Sequence, residues 1–130
     1  MEIRNLHQLS GSLVKDEKSD IQVLKLTDDV MSIYLAHLTA GRRLPAHYHS
    51  HGREVYHILA GDGRFEMGER RDNGVQWTVD HMVGAGDIFE VPEGAVHRLT
   101  GGITDLQLIF FTSPSHLGDD RTFITEEKPL

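Results

Sequence analysis

Residues 41–61 read Gly41-Arg-Arg-Leu-Pro-Ala-His47-Tyr-His49-Ser-His-Gly-Arg-Glu54-Val-Tyr-His-Ile-Leu-Ala-Gly61. His47 and His49 stand two residues apart. In an extended chain, side chains at i and i+2 leave the same face, so both imidazoles can aim at one point. A helical pair of ligands would stand at i and i+3 or i+4. The pair therefore calls for a strand. Glu54 follows after a turn over Ser50 to Arg53. Counting by two from Glu54 places Tyr56 and Ile58 on its face. Farther on, Pro92-Glu93-Gly94 leads into His97. Three imidazoles and one carboxylate form a complete ligand set for a divalent transition metal.

Outward from this stretch the chain alternates short apolar runs with turn residues. Ile21 to Leu26 is strand-like, and Asp28-Asp29 reads as a turn. Val30 to Leu38 is a second strand, with Met31, Ile33 and Leu35 on one face and Ser32, Tyr34 and Ala36 on the other. Gly41 to Pro45 reads as a break, and Gly61-Asp62-Gly63 as a tight turn. Arg64 to Gly68 and Val75 to Asp80 form a hairpin with Asn73-Gly74 at its tip. Gly84 to Asp87 turns into a strand at Ile88 to Val91. Ala95 to Thr100 and Leu106 to Thr112 complete the series, and no helical period is evident. The expected class is all-β, an antiparallel β-barrel or jelly roll, in one domain spanning 1–130. Residues 1–20 form a polar arm. The tail 113–130 either covers one end of the barrel or runs over the surface.

Composition narrows the function. Formal charge is −7 with dispersed Lys and Arg, which opposes a nucleic-acid role. The short pairs Arg42-Arg43 and Arg70-Arg71 read as solvated turns. The chain has no cysteine, which removes thiol chemistry and Cys-based metal sites. No apolar run approaches the length of a membrane span, and Met1 to Ser10 lacks a signal-peptide core. A cytoplasmic protein is expected, with no membrane partner.

The intervals between these residues resemble those of the cupin family. Gly41, His47, His49, Glu54 and Gly61 match the first cupin motif (41–61). Gly86, Pro92, Gly94 and His97 match the second (86–101), except that Gly101 stands where the family pattern has Asn. The resemblance implies a cupin double-stranded β-helix with His47, His49, Glu54 and His97 as metal ligands. His97 would be delivered from across the barrel by its Pro/Gly turn. The resemblance further implies a metal-dependent enzyme on a small oxygenated molecule, of dioxygenase, isomerase or lyase type. The alternative is a non-catalytic cupin binding a sugar or organic acid. A homodimer is implied as well, through the outer sheet and the apolar run Ile21 to Leu38.

Manganese, iron, nickel and zinc all suit three imidazoles and a carboxylate, as do cobalt and copper; ligand type does not choose among them. Glu54 is also a candidate base. Tyr56 is a candidate acid or hydrogen-bond donor, or equally a core tyrosine. His57 has the opposite parity and belongs to packing or surface. His51 falls in an exposed turn. Phe89, Val91, Phe110 and Phe111 read as core. His7, His37, His81 and His116 show no partner in the sequence.

Overall fold

A computed structural model describes residues 3–28, 31–72, 74–113 and 116–124. Asp29, Val30, Asn73 and Pro114, each part of an expected turn, strand or tail, lie outside the described residues. The strands are β1 (Val14–Lys15), β2 (Gln22–Asp28), β3 (Ser32–Leu38), β4 (Arg43–Tyr48), β5 (Glu54–Ala60) and β6 (Asp62–Arg71). They continue as β7 (Gly74–Gly84), β8 (Ile88–Val91), β9 (Val96–Gly101), β10 (Leu106–Thr112) and β11 (Thr122–Phe123). One sheet runs β1-β2-β3-β10-β5-β8 and the other β11-β4-β9-β6-β7. This is the jelly-roll arrangement, all antiparallel, with two facing sheets that do not close into a continuous barrel.

Alternation along the strands builds the core. In β3 the face carrying Ser32, Tyr34, Ala36 and Leu38 is buried, while Met31 and Ile33 are not; Leu35 is covered from the other side. β5 and β10 alternate in the same way, burying Tyr56 and Ile58 against Leu108 and Phe110. Tyr34 and Phe110 stack at 4.8 Å, and Leu38, Leu99, Leu106 and Leu108 are fully enclosed. Burial of this size is the main source of stability in such a domain.

Three local expectations change. A helical turn at Leu6–Leu9 opens the chain, capped by the Asn5 side chain on the His7 and Gln8 amides. The short polar stretch carries no apolar period, so only its cap residue could have signalled it. Residues 43–45 are strand, not break. Pro45 is accommodated because the β4–β9 register shifts between Leu44 and His47, so the missing N–H costs no ladder bond there. The hairpin of β6 and β7 extends well beyond its expected ends, to Asp62 and Gly84. Among the described residues, no helix is long and apolar enough to cross a membrane.

The four glycines that set the motif intervals all have positive φ: Gly41 at 74°, Gly61 at 84°, Gly86 at 93° and Gly94 at 78°. The spacing is thus a record of where the chain must turn in a way other residues resist. Gly61 is the tightest, since a Cβ there would lie 1.8 Å from the Asp105 carbonyl oxygen.

Gly101 has its own reason. Its N–H donates to the Arg42 carbonyl at 2.8 Å, and its carbonyl accepts from Gly41 N–H at 3.0 Å. A Cβ at this position would fall 2.4 Å from the Thr39 carbonyl oxygen. Restoring the family residue with Gly101→Asn should therefore destabilise the fold, by about 1–3 kcal/mol for an overpacked site. A thermal melt checks this, and an unchanged midpoint would show that the neighbouring backbone yields freely.

Candidate metal centre

His47 lies near the end of β4 and pairs directly with His97 on β9. Their rings lie 4.2 Å apart between centroids. His97 therefore comes from the strand beside His47, not from across the barrel. The sequence signals the turn before His97 but not which strand β9 joins. The residue that crosses is Glu54, first in β5 of the opposite sheet. His49 stands one residue beyond the end of β4, at the start of the turn. The four side chains offer ligand atoms within 4.8 Å of one another, all buried. Among the described residues, no other group of His, Cys, Asp and Glu converges in this way.

Each histidine is turned the same way by its inner nitrogen. Nδ1 of His47 donates to the Pro45 carbonyl at 2.8 Å, and Nδ1 of His97 to the Ala95 carbonyl at 3.0 Å. Nδ1 of His49 donates to the Asp120 carbonyl at 2.6 Å. These assignments leave each Nε2 as the lone-pair nitrogen facing Glu54, the orientation that metal-ligating histidines take from their outer partners. Glu54 Oε1 lies 2.5 Å from Nε2 of His49 and 3.3 Å from Nε2 of His97. Yet Glu54 Oε1 and His97 Nε2 make no hydrogen bond. Buried polar atoms without partners are rare. Two of them converging from opposite sheets is what a cation-binding site looks like when described by its protein atoms alone, so the cluster can hold a metal ion.

Charge states agree. Burial, followed by the neighbouring His97, pushes the His47 imidazole well below its ordinary pKa, so it is neutral at pH 7. Burial pushes the Glu54 carboxyl up. The close rings of His116, His49 and His97 outweigh this and hold it well below the carboxylate range. A neutral imidazole and an ionised carboxylate are the forms that bind metal.

Tyr56 is packed in the core, as one of its two expected readings has it. Its ring is 2% exposed and packs against Phe89, Phe110 and Phe65. Burial, the Glu54 charge and a hydrogen bond to Glu54 push its hydroxyl well above the usual phenol range. It remains a donor, not an anion, at neutral pH. His57 is half-buried on the opposite face and His51 is exposed, as their parity and turn position suggest. His37 meets Asp105 at 3.1 Å.

Sequence reasoning missed His116 and Asp120. The ring of His116 lies flat on His49, 4.0 Å between centroids and 4° from parallel. Its Nδ1 is bonded to the Thr112 hydroxyl and lies 3.6 Å from Glu54 Oε1; its Nε2 is bonded to the His51 carbonyl. Burial pushes the ring down in pKa, but Glu54 and the His51 carbonyl outweigh this and raise it. Of the tail, residues 116–121 lie against the site and β11 extends the sheet beside β4.

Beside the centre, a cleft of about 300 Å³ is lined by Phe65, Met67, Val79, Val83 and Phe89, with Asp87 and Glu90 also on its wall. Phe65 and Phe89 meet at 4.5 Å, and Phe65 lies 6.4 Å from the His97 ring. The apolar wall of the cleft thus comes to within one side chain of the four-residue cluster.

The family model described as "Cupin domain" matches residues 34–111. Similar solved structures include the Schizosaccharomyces pombe Cnp3 cupin domain (14% identity, TM-score 0.62, 72% of this chain and 60% of that one). A Klebsiella pneumoniae protein with a double-stranded β-helix domain matches over 97% of this chain and 99% of its own, at 17% identity and TM-score 0.66. An oxalate oxidase in complex with glycolate matches at 19% identity and TM-score 0.64, over 82% of this chain and 55% of that one. No curated protein matches the chain in sequence.

Proposed function

Because the chain belongs to the cupin family, we propose that it is a metal-dependent enzyme on a small oxygenated molecule, with His47, His49, Glu54 and His97 as metal ligands. The observation that carries this is the uniform Nδ1–H···O=C orientation of three histidines around two unpartnered atoms, Glu54 Oε1 and His97 Nε2. A bound divalent ion would act as a Lewis acid on substrate oxygen, or support dioxygen chemistry if it were iron or manganese. Dioxygenase, isomerase and lyase reactions all fit that chemistry.

The chain's own residues supply the rest. The Tyr56 hydroxyl, kept protonated by burial and by Glu54, supplies a donor near the ligand carboxylate. Phe65, Phe89 and Phe110 pack around the Tyr56 ring and make the inner side apolar. The cleft offers an apolar berth for a carbon substituent on a substrate whose oxygens sit at the centre.

Metal analysis of protein purified without a nickel column tests the reading. The expected result is about one transition-metal ion per chain, with a melting point that rises on metal addition. A ligand at a hundred times its Kd stabilises by about 2.7 kcal/mol. Absence of metal together with no shift on adding manganese, iron, nickel or zinc would refute it.

Glycolate and mandelate, two 2-hydroxy acids that differ by a phenyl group, then probe the berth on metal-loaded protein. Mandelate should bind more tightly, and Val79→Asp should remove that preference while leaving glycolate unchanged. Equal binding of both acids to the unsubstituted protein would remove the berth from the proposal. The second reading, a non-catalytic binding protein, draws support from the near-complete burial of all four ligands, each at most 4% exposed. A small acid or sugar that binds tightly and is recovered unchanged would favour it.

A further inference from the structure

We infer that the C-terminal segment 116–121 is part of the metal centre, with Asp120 as the positioning residue for His49. The inference rests on the metal reading above. The family match ends at residue 111, so nothing in the family pattern accounts for this segment.

The argument starts from a difference among the three histidines. His47 and His97 each bond a carbonyl two residues earlier in the same chain segment. Their strands therefore orient them without outside help. His49 lies past the end of β4; outside the ladder its carbonyl accepts from the Gly94 N–H at 3.0 Å, which leaves the direction of its ring to be set from elsewhere. Its Nδ1 instead reaches the Asp120 carbonyl, 71 residues along the chain, at 2.6 Å. The same residue's carboxylate accepts from the Ser50 N–H at 2.6 Å and the His51 N–H at 2.9 Å. Asp120 thus grips both the ring of the ligand and the backbone that carries it.

The rest of the segment reinforces that grip. His116 stacks on the outer face of the His49 ring, and its own nitrogens are held by Thr112 and the His51 carbonyl. Arg121, next to Asp120, is anchored by two bonds of 2.8 Å to Asp16. Physically, the Nδ1–H···O=C bond selects the tautomer with its lone pair on Nε2, and the flanking clamp sets the direction in which it points. Ser50 and His51 are exposed residues, so water can replace the lost carboxylate at their amides. Removing the side chain should therefore disturb ligand geometry more than overall stability.

The test is a cobalt(II) titration of metal-free protein, followed by the visible absorption of the bound ion, with the melting point of each metal-free variant recorded alongside. Asp120→Ala keeps the backbone carbonyl that bonds His49 but removes the carboxylate that holds the Ser50 and His51 amides, so it should weaken cobalt binding by about tenfold, the lower end of the effect of disturbing an outer partner, and alter the absorption bands. Asp120→Asn keeps one acceptor oxygen and should fall between. Leu106→Val, trimming the core at the far end of β10, should lower the melting point and leave cobalt affinity unchanged. An Asp120→Ala protein that binds cobalt within about twofold of the unsubstituted chain, with unchanged bands, overturns the inference and leaves the metal reading intact. Failure of the unsubstituted chain to bind cobalt overturns both.

Discussion

His49→Ala is expected to lower metal affinity by more than about a hundredfold, since it removes a ligand outright where loss of an outer partner alone costs ten- to a hundredfold. The side chain is 5% exposed and its Nε2 lies 2.5 Å from Glu54 Oε1. Truncation removes one of four donors and also leaves the Asp120 carbonyl without its imidazole partner. The ring stack with His116 goes with it. The sheets themselves do not depend on this residue, because His49 lies outside the β4 ladder. Circular dichroism should show the same strand content, while metal content by elemental analysis falls to a small fraction of a site. Full occupancy in this variant would show that the assigned ligand set is wrong.

Asp16→Ala is expected to have the largest effect on stability. Asp16 and Arg121 form a bidentate pair whose side chains are 9% and 2% exposed. Arg121 Nε is already buried without a hydrogen bond. Removing the carboxylate leaves a guanidinium enclosed and uncompensated, a change that costs about 3–5 kcal/mol. Chemical denaturation with the slope held fixed measures it, and a loss below about 1 kcal/mol would mean that water reaches Arg121 readily.

The pH dependence of the same pair has a definite sign. Burial pushes the Asp16 carboxyl up, but Arg121 and Ser19 outweigh this and hold it below its ordinary value of 3.8. Above pH 3.8 both folded and unfolded chains carry the ionised group, so its contribution is complete. As the pH falls below that value the unfolded chain takes up the proton first, and the contribution fades until the folded form is protonated too. Glu66, held below its ordinary range chiefly by Arg98, titrates in a neighbouring window. The informative quantity is thus the difference between the two proteins: the gap between Asp16→Ala and the unsubstituted chain should narrow on acidification.

Much of the candidate site was legible because its signals are local. The two-residue step from His47 to His49 specifies a strand, and the turn-forming glycines occupy positions of positive φ that few other residues tolerate. The parity count from Glu54 placed Tyr56 and Ile58 inside and His57 outside, as the burial of β5 has it. What could not be read is which strands lie side by side. The pairing of β4 with β9 puts His97 next to His47 and makes Glu54 the residue that crosses between sheets. No local pattern records that choice, because alternation within a strand is the same whichever neighbour it has. His116 and Asp120 were hidden for a related reason. A histidine after a Ser-Pro-Ser stretch and an aspartate in an acidic turn look like solvated tail, and their partners at Thr112 and His49 stand 4 and 71 residues away. The departure at Gly101 was visible, but its cause is the Thr39 carbonyl, which only the packed structure brings near.

The ties between the two ends of the chain also bear on the order of assembly. His49 waits for Asp120, 71 positions later, and Arg121 reaches back 105 positions to Asp16. Contacts of such long separation pay their loop-closure entropy late, so they form after the sandwich has condensed. A nascent chain that has released only its first 112 residues can pair β3, β5 and β10, yet its His49 has no carbonyl to set its tautomer. On the metal reading proposed above, tight metal capture would belong to the last stage of folding, and retention of a metal ion would report that residues 116–121 have docked.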